Sequence, residues 1–351
     1  MQGKRVIIHA GFPRTGSTLL QQEIFPRFDG SVKVITPLSK DRRLIDLFTL
    51  SCRNVKLVPI GDTDKKYVDD IVSEYPENTL LISFEGLLGD QCDNFLSLPH
   101  ITEELRAYFP EAEILVIVRR QSEMVKSFYR LLVWQDGYHK SLKEFVRFED
   151  GKFEGYRDQW TYGVNVYPPG IDFFSLVAFL ESSFGAGKVH VLPYEWIKSD
   201  FGRFCNSLAT IVGTSLPNTA GPPPVINRGP HGYDLMLMIG LNRFWDARLF
   251  GFPIVPKRPF ASHFDLDCPD YREKYGWASW FLRAVISRMS PAGVLPMVSP
   301  VLSPLIKGLG VSEDPDRTIE MAIDEAVFPS NAALNEKLGG ILSGLGYCDC
   351  R

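Results

Sequence analysis

Five short apolar runs alternate with segments of helical periodicity along the chain, and most of them end at glycine, proline or a charged residue. Runs that are apolar on nearly every residue are typical of parallel strands covered on both faces. They lie at residues 6–12, 32–36, 80–84, 114–118 and 189–192. The pattern therefore predicts an α/β fold built on a parallel sheet.

Apolar positions with a helical period predict five helices between these runs. They lie at residues 17–25, 64–73, 102–109, 121–134 and 194–212. Pro26 and Pro110 follow two of them, as expected where a helix ends.

The pattern changes after Leu216. A glycine and proline segment at 221–224 precedes helical patterns at 233–250, 277–288 and 318–327. We interpret residues 1–216 as the core α/β sheet and residues 217–351 as a mostly helical elaboration of the same domain. The whole chain, 1–351, is thus predicted to form a single domain.

Residues 285–310 combine apolar side chains with four prolines: Pro291, Pro296, Pro300 and Pro304. This spacing argues against one continuous helix. We interpret the segment as a proline-punctuated buried connection. A lid or a peripheral contact with a membrane surface are the alternatives.

The composition is that of an ordinary folded protein, with 45% hydrophobic and 23% charged residues. The formal net charge of −4 provides no basic field over the whole molecule. Nucleic acid is therefore not expected as a partner, and any anion site must be local.

The six cysteines have no ligand-like spacing apart from Cys348 and Cys350. This argues against a zinc site and favours a reducing compartment. The first residues do not resemble a signal peptide, and no apolar run approaches the roughly 20 residues that span a bilayer. We therefore expect a cytoplasmic protein without a transmembrane segment.

The strongest local signal is a strand, a glycine-flanked turn and a helix start at residues 6–20. Gly11 and Gly16 let the main chain curl so that its N–H groups point inward, which favours a bound anion. Ser17 and Thr18 add hydroxyl donors. An ordinary helix cap explains those hydroxyls, but Arg14 inside the loop favours an anion site.

Two residues that nucleoside triphosphatases usually contain are missing here, and their absence limits which class of anion the loop can bind. A nucleoside triphosphatase loop has lysine where this chain has Ser17, and the usual magnesium-binding aspartate at the end of another strand is absent. No metal site is predicted. A sulfuryl group carries less charge than a triphosphate, so arginine and N–H donors can bind it unaided.

A second segment supports the first. Arg119 ends the fourth apolar run, and Ser127 follows eight residues later in a predicted helix. The two side chains can converge on one phosphate. Alone this spacing is a weak signal, because Arg119 could instead neutralise Glu123, but it becomes strong beside the first loop.

Together the two segments resemble the sulfotransferases that use 3′-phosphoadenosine 5′-phosphosulfate (PAPS). Residues 11–18 resemble their 5′-phosphosulfate loop, and Arg119 with Ser127 resembles their 3′-phosphate motif. Weaker similarities to the bacterial branch lie at 192–195, 227–228 and 330–334. Two departures stand out: the usual lysine of the loop is arginine here, and Arg119 is followed by Arg-Gln instead of Asp-Pro or Asn-Pro.

The resemblance implies a single three-layer αβα domain of the P-loop-like sulfotransferase fold. It also implies in-line transfer of the sulfuryl group from PAPS without a metal, with Arg14 stabilising charge on the leaving oxygen. Arg119 and Ser127 would bind the 3′-phosphate, and Arg228 would add a phosphate contact. The 5′-phosphosulfate would be held by Pro13, Arg14, Thr15, Gly16, Ser17 and Thr18.

Transfer to a hydroxyl needs a base. Glu85 is the candidate, because it follows the apolar run 80–84 at the sheet edge where ligands of open α/β sheets bind. It could instead cap the following turn or pair with Arg119. His100, placed in a loop after a proline, is the reserve base. His9, within the first apolar run, is interpreted as a satisfied core histidine.

Aromatic residues are concentrated between Phe128 and Phe174, where they make up 13 of 47 residues. Five of them are interleaved with polar residues, which suits stacking on sugar rings: Trp134, Tyr138, Trp160, Tyr162 and Tyr167. Packing of an irregular segment explains the enrichment almost as well. A glycan or glycolipid is the expected acceptor, and the sequence does not predict the oligomeric state.

Two other function classes compete with this interpretation. A P-loop kinase acting on a small molecule would bind ATP with Mg²⁺, although the missing lysine and aspartate argue against it. A catalytically idle nucleotide-binding or scaffold protein would keep the fold, and Arg14 and Glu85 would then be dispensable.

Overall fold

A computed structural model describes residues 4–53, 60–157, 164–216, 232–246, 248–249, 252–253, 291–309 and 316–348. The chain divides into two compact units. The first is drawn from residues 1–125, 146–227 and 319–351, and the second from residues 126–145 and 228–318. The single domain over 1–351 stays a prediction.

The five predicted strands are confirmed and form one parallel sheet in the first unit. The sheet strands are β1 (Arg5–Ala10), β2 (Val32–Ile35), β3 (Thr79–Phe84), β4 (Glu113–Val118) and β7 (Val189–Pro193), in the spatial order β2-β3-β1-β4-β7. Two short hairpins complete the strands, β5 (Phe148–Glu149) with β6 (Lys152–Phe153), and β8 (Arg248–Leu249) with β9 (Phe252–Pro253).

Helices of the first unit surround this sheet. They are α1 (Ser17–Leu19), which continues through a π-helical turn (Leu20–Ile24) and a 3₁₀ turn (Phe25–Arg27), α2 (Arg43–Arg53), α3 (Asp62–Ser73), α4 (Leu98–Tyr108), the start of α5 (Gln121–Gln135), α7 (Phe173–Phe184), α8 (Glu195–Ser199), α9 (Phe201–Val212) and most of α12 (Arg317–Lys337). Short 3₁₀ turns lie at Glu85–Leu88, Gln91–Asp93 and Pro168–Gly170.

The second unit holds the rest of α5 together with α6 (Leu142–Phe145), α10 (Gly232–Asp246) and α11 (Pro291–Gly308). None of the described helices combines the length and the apolar character needed to cross a membrane.

Most helix predictions hold within a few residues, with four differences. The predicted helix at 194–212 breaks at Asp200, whose carboxylate accepts the Arg203 N–H and so starts α9. The prediction at 318–327 is too short, because α12 continues through Pro329 to Lys337. Periodicity missed α2 and α7, and the predicted helix at 277–288 lies outside the described residues.

The sheet is buried on both faces, which confirms the three-layer α/β architecture. On one face Ile7, Leu81 and Leu115 belong to a core cluster with side chains of α1, α8 and α9. On the other face α7 contacts β4 and β7. The central strand β1 lies between β3 and β4, so its side chains are almost wholly covered.

The prediction that prolines interrupt residues 285–310 is wrong for the described part. Pro296, Pro300 and Pro304 lie inside the single helix α11. Because they recur every four residues, the main-chain hydrogen bonds that they remove lie close to one side of the helix, and the remaining bonds maintain it. The segment is not buried either, since Met297 is 77% exposed and Leu305 60%.

Candidate functional site

The loop after β1 curls at Arg14 and Gly16, whereas Gly11, the other glycine expected to permit the curl, has no positive φ angle. Arg14 and Gly16 have φ angles of 72° and 91°, in the left-handed region that residues other than glycine rarely adopt. Such a main chain turns successive N–H groups to one side and forms an anion-binding concavity. A Cβ at Gly16 would also lie 3.1 Å from the Tyr194 ring, so this position requires glycine on two grounds.

Thr15 stabilises the loop from inside. Its side chain is fully buried, and Oγ1 donates a hydrogen bond to the Phe12 carbonyl at 2.7 Å. The Thr15 hydroxyl is thus committed to the turn, which leaves the main-chain N–H for the predicted ligand contact. Pro13 and Thr18 are half-buried at either end of the loop.

Arg119 joins the two segments that the sequence singled out. It directly follows β4, and its Nη1 donates to the Arg14 carbonyl at 2.8 Å. Its guanidinium lies over the Tyr194 ring, 4.6 Å from the centroid, while the contact with Glu123 is longer, at 3.5 Å. The guanidinium of Arg119 therefore lies closer to the loop than to the Glu123 carboxylate, and its main role among these contacts is to stabilise the loop.

The loop brings two cations together. Burial and the positive charge of Arg119 lower the pKa of Arg14, and Glu85 and Tyr194 oppose that shift. Two neighbouring guanidinium groups in a partly desolvated place repel one another. An anion bound there would be stabilised by both.

Glu85 lies where the sequence predicts, at the end of β3 and the start of the Glu85–Leu88 turn. Burial raises the pKa of its carboxyl, while the nearby Ser17 hydroxyl and the charge of Arg14 act in the opposite direction. Arg14, not Arg119, is its charged neighbour among the described residues. A carboxylate whose pKa is raised is a better proton acceptor than an ordinary one.

These residues follow three adjacent strands, β1, β3 and β4, whose carboxyl ends meet at one edge of the sheet. The chain runs from β1 toward β2 and β3 on one side and from β4 toward β7 on the other. The strand order thus reverses between β1 and β4, which is where open α/β sheets bind ligands.

The residues after Arg119 are anchored to the C-terminal segment. Arg120 Nε donates to Asp324 Oδ2 at 3.1 Å, and its Nη2 contacts the same oxygen. The Gln121 and Asn331 side-chain amides exchange two hydrogen bonds, of 2.9 and 3.0 Å. These contacts occupy the positions where the sequence departs from the sulfotransferase pattern.

Glu195 and Tyr347 continue this anchor. Glu195 Oε1 accepts the Arg120 main-chain N–H at 3.0 Å, and Oε2 accepts the Tyr347 hydroxyl at 2.5 Å. Burial raises the pKa of Glu195, while these two hydrogen bonds and the charge of Arg119 act to lower it. The main chain beside Arg119 is therefore held by Glu195, 75 positions away in sequence, and Glu195 is held in turn by Tyr347.

Three further predicted site residues are Ser127, His100 and Arg228. Ser127 is half-buried in the part of α5 that belongs to the second unit. His100 does not lie in a loop, as predicted, but in the first turn of α4, with Nε2 3.6 Å from Glu104 Oε1. Arg228 lies outside the described residues. The roles predicted for all three stay predictions.

Some residues of the aromatic segment lie in the second unit, and others lie outside the described residues. In the second unit the Tyr138 ring packs edge-on against Tyr129 and Phe145, as the packing interpretation predicts. Trp134 and Tyr167 are half-buried. Trp160 and Tyr162 lie outside the described residues.

Sequence reasoning missed several residues that shape this site. Asp324 and Tyr347 gave no local signal, because their partners are distant in sequence. Tyr194, Glu195 and Asn331 lay within the weak similarities at 192–195 and 330–334, and those similarities could have identified them. No described group of three or more His, Cys, Asp or Glu side chains is arranged as metal ligands. The predicted absence of a metal stays a prediction.

Comparison with known proteins adds the following findings. No protein-family model matches the chain, and no curated protein matches it. Among solved structures the chain is similar to a sulfotransferase from Alicyclobacillus acidocaldarius, with 17% identity and a TM-score of 0.42 over 66% of this chain and 88% of that chain. It is also similar to mouse sulfotransferase SULT7A1 complexed with PAP, with 11% identity and a TM-score of 0.33 over 81% and 82% of the two chains.

Proposed function

We propose that this protein transfers a sulfuryl group from PAPS to a hydroxyl. The observation that carries the proposal is the hydrogen bond from Arg119 Nη1 to the Arg14 carbonyl. It unites the segment that resembles a 5′-phosphosulfate loop with the segment that resembles a 3′-phosphate motif. A nucleotide with phosphate groups at both ends of its ribose needs such a pair of neighbouring cationic sites.

The residues at the loop fit the group to be transferred. Arg14 supplies a permanent charge for the oxygen that leaves sulfur, and the curled main chain supplies N–H donors. Ser17 occupies the place of a nucleotide triphosphatase lysine, so the loop is suited to a less charged group than a triphosphate.

Glu85 is proposed as the base that takes the proton of the acceptor hydroxyl. It belongs to the same sheet edge as Arg14. Its raised pKa makes its carboxylate a stronger proton acceptor than that of an ordinary glutamate. The positive charge of Arg14 favours the ionised form of Glu85. His100 is the weaker candidate, because it lies within α4 and does not end a strand of the sheet.

The acceptor is proposed to be a glycan or glycolipid hydroxyl. A cleft of about 240 Å³ lies beside Phe12 of the loop, between the first turns of α4 and α7. Its lining is mainly apolar, with Phe95, Phe173 and Leu176 among its residues, while Asn94 and Asp172 are polar. This lining favours an acceptor with an apolar group near its hydroxyl, as in a glycolipid.

The decisive experiment is calorimetry and thermal unfolding with adenosine 3′,5′-bisphosphate in the presence of a chelator, beside ATP with Mg²⁺. A ligand at 100 times its dissociation constant stabilises the folded protein by about 2.7 kcal/mol. We expect metal-free binding of the bisphosphate and its loss in Arg119→Ala. Binding of ATP with Mg²⁺ alone would support a kinase, and binding of neither ligand would overturn the proposal.

A further inference from the structure

The helix α11 (Pro291–Gly308) of the second unit presents apolar side chains to solvent. Met297 is 77% exposed, Val301 63% and Leu305 60%, and Leu309, just beyond the helix, is 80% exposed. These four residues follow one another at intervals of four positions, so they form one stripe along the helix. A helix on the surface of a globular protein normally has polar side chains on its outer side.

The polar side chains of α11 lie on its opposite side. The hydroxyls of Ser299 and Ser303 both donate to Asp234 Oδ1 of α10, the second at 3.1 Å. Ser299 is two positions from Met297, which is roughly 200° around the helix. Leu295, one turn before Ser299, is buried. The polarity of α11 is thus inverted, because its hydroxyl groups face α10 and its outer face is apolar.

The outer face carries almost no charge. Residues 291–309 contain no acidic side chain, and Lys307 is the single charged residue among them. Pro296, Pro300 and Pro304 are also exposed, and they add apolar rings without main-chain N–H donors. The face therefore offers apolar contact along most of its length and one cation near its C-terminal end.

The size of this face argues against a protein as its occupant. A helix of 18 residues is about 27 Å long and 10–12 Å wide, so one face projects an area of roughly 300 Å². Each partner of a stable protein interface usually buries about 800 Å², with a polar rim around an apolar centre. The outer face of α11 supplies less than half of that area, and Lys307 is the one charged group at its rim.

The surface of a lipid bilayer fits the same face. In membranes, apolar side chains face the lipid, while small hydroxyl side chains form hydrogen bonds between neighbouring helices, as Ser299 and Ser303 do toward α10. None of the described helices is long and apolar enough to cross a membrane, so α11 would lie along the surface. Lys307 can then extend its amine toward the lipid phosphates.

We propose that the outer face of α11 docks the protein onto the surface of a phospholipid bilayer, with Met297, Val301 and Leu305 inserted at the boundary between headgroups and acyl chains. Apolar burial supplies most of the affinity, since Lys307 is the one cation of this helix. Binding therefore depends little on anionic lipid, unlike that of a basic surface helix. This inference is independent of the proposed sulfuryl transfer, because docking through α11 requires no nucleotide.

The first experiment is co-sedimentation of the full chain with phosphatidylcholine vesicles, beside vesicles that also contain phosphatidylserine. We expect binding to both, with affinities that differ by no more than about fivefold, which is the contribution of one lysine near an anionic surface. Failure to bind either kind of vesicle overturns the proposal. Binding that requires phosphatidylserine overturns it too, because α11 lacks the basic residues for such a dependence.

A pair of leucine variants tests whether α11 is the docking face. Leu305→Asp removes an apolar side chain from the stripe and adds a charge, and we expect at least about 10-fold weaker vesicle binding. Leu38→Asp is the matched control, since Leu38 is a leucine of the first unit that is 50% exposed. It should bind like the wild type. Equal affinities of the two variants, with folding checked by circular dichroism, overturn the proposal.

Fluorescence quenching measures insertion directly. Met297→Trp places at the stripe a side chain that is favourable at membrane interfaces, and Leu38→Trp is its control. With vesicles brominated on the acyl chains, the fluorescence that Met297→Trp adds to the wild-type signal should be quenched, and that of Leu38→Trp should not. Absence of quenching in Met297→Trp overturns the proposal. Self-association without lipid that Leu305→Asp abolishes would assign the face to a second copy of the chain and overturn it as well.

Discussion

The carboxyl edge of the sheet and the helix α11 differ in which side chains they bury. At the sheet edge, Arg119 and Glu195 are buried or nearly so, and each makes directed contacts with residues far away in the sequence. On α11, Met297 and Leu305 are open to solvent, and the described polar anchors are Ser299 and Ser303, which donate to Asp234 of α10. The sheet edge thus buries charged side chains, which is unfavourable, whereas α11 leaves apolar side chains exposed to solvent.

This difference agrees with the function that we propose for the sheet edge. Buried charge and an arginine in the left-handed region are unfavourable for stability, so they persist where the surrounding structure enforces them, and the proposed function gives them a ligand. An exposed apolar side chain costs the folded unit little. Substitutions at the sheet edge should therefore change activity strongly, and substitutions on the outer face of α11 should change it least.

The largest effect is expected for Glu85→Gln. Removing a general base lowers turnover by at least ~100-fold, while affinity for the nucleotide stays nearly unchanged. Steady-state kinetics with a sulfated-product assay measures the first quantity, and calorimetry measures the second. Near-normal turnover would remove Glu85 from this role, and Glu111→Gln is the control, since Glu111 is an exposed partner of Lys188.

The same variant carries a pH prediction. A base works only when ionised, so activity is present above the pKa of Glu85 and is lost as the pH falls through it. Because burial raises that pKa, the loss begins at a higher pH than for an ordinary glutamate, whose pKa is about 4.3. A pH profile of kcat/KM should show this acid limb in the wild type and lack it in Glu85→Gln.

Arg119→Ala is expected to weaken binding of adenosine 3′,5′-bisphosphate by about 10- to 100-fold, because it removes the proposed phosphate contact and the hydrogen bond to the Arg14 carbonyl. The neighbouring Arg120 offers a matched control, since its side chain bonds Asp324 instead of the loop. Arg120→Ala should lower stability but largely keep the affinity. Equal losses of affinity in the two variants would contradict the assignment of Arg119.

Tyr347→Phe should act mainly on stability. It removes the hydroxyl that donates to the buried Glu195 carboxyl, and we expect the free energy of unfolding to fall by about 1–3 kcal/mol, with a few-fold loss of bisphosphate affinity. Urea unfolding of this variant beside Tyr67→Phe, an exposed tyrosine, measures the difference. Equal stability of the two variants would show that the bond does not stabilise the anchor.

The smallest effect is expected on α11. Met297→Ala should change the free energy of unfolding by no more than about 0.5 kcal/mol and leave nucleotide binding intact. Leu295→Ala, two residues earlier but buried, should cost about 2–5 kcal/mol. A large loss of stability in Met297→Ala would show that its side chain is covered in the folded protein.

The comparison also shows where sequence patterns fail. Proline is a reliable helix breaker when it stands alone, and residues 285–310 were interpreted on that basis. The regular spacing of Pro296, Pro300 and Pro304 removes this effect, because the lost hydrogen bonds lie close to one another. His9 is a second example, since apolar neighbours predicted a satisfied core histidine, yet one of its two nitrogens lacks a partner among the described residues.

The sequence by itself determined the parallel strands, the glycine-flanked loop and the arginine that ends β4. These features depend on short stretches of chain: apolar runs, glycines that permit left-handed angles, and the residue at which a run stops. The tertiary structure alone decided that Arg119 bonds the carbonyl of Arg14, 105 residues away, and that Tyr347 reaches Glu195. Such partners are set by the packing of distant segments against the sheet, which no local pattern encodes.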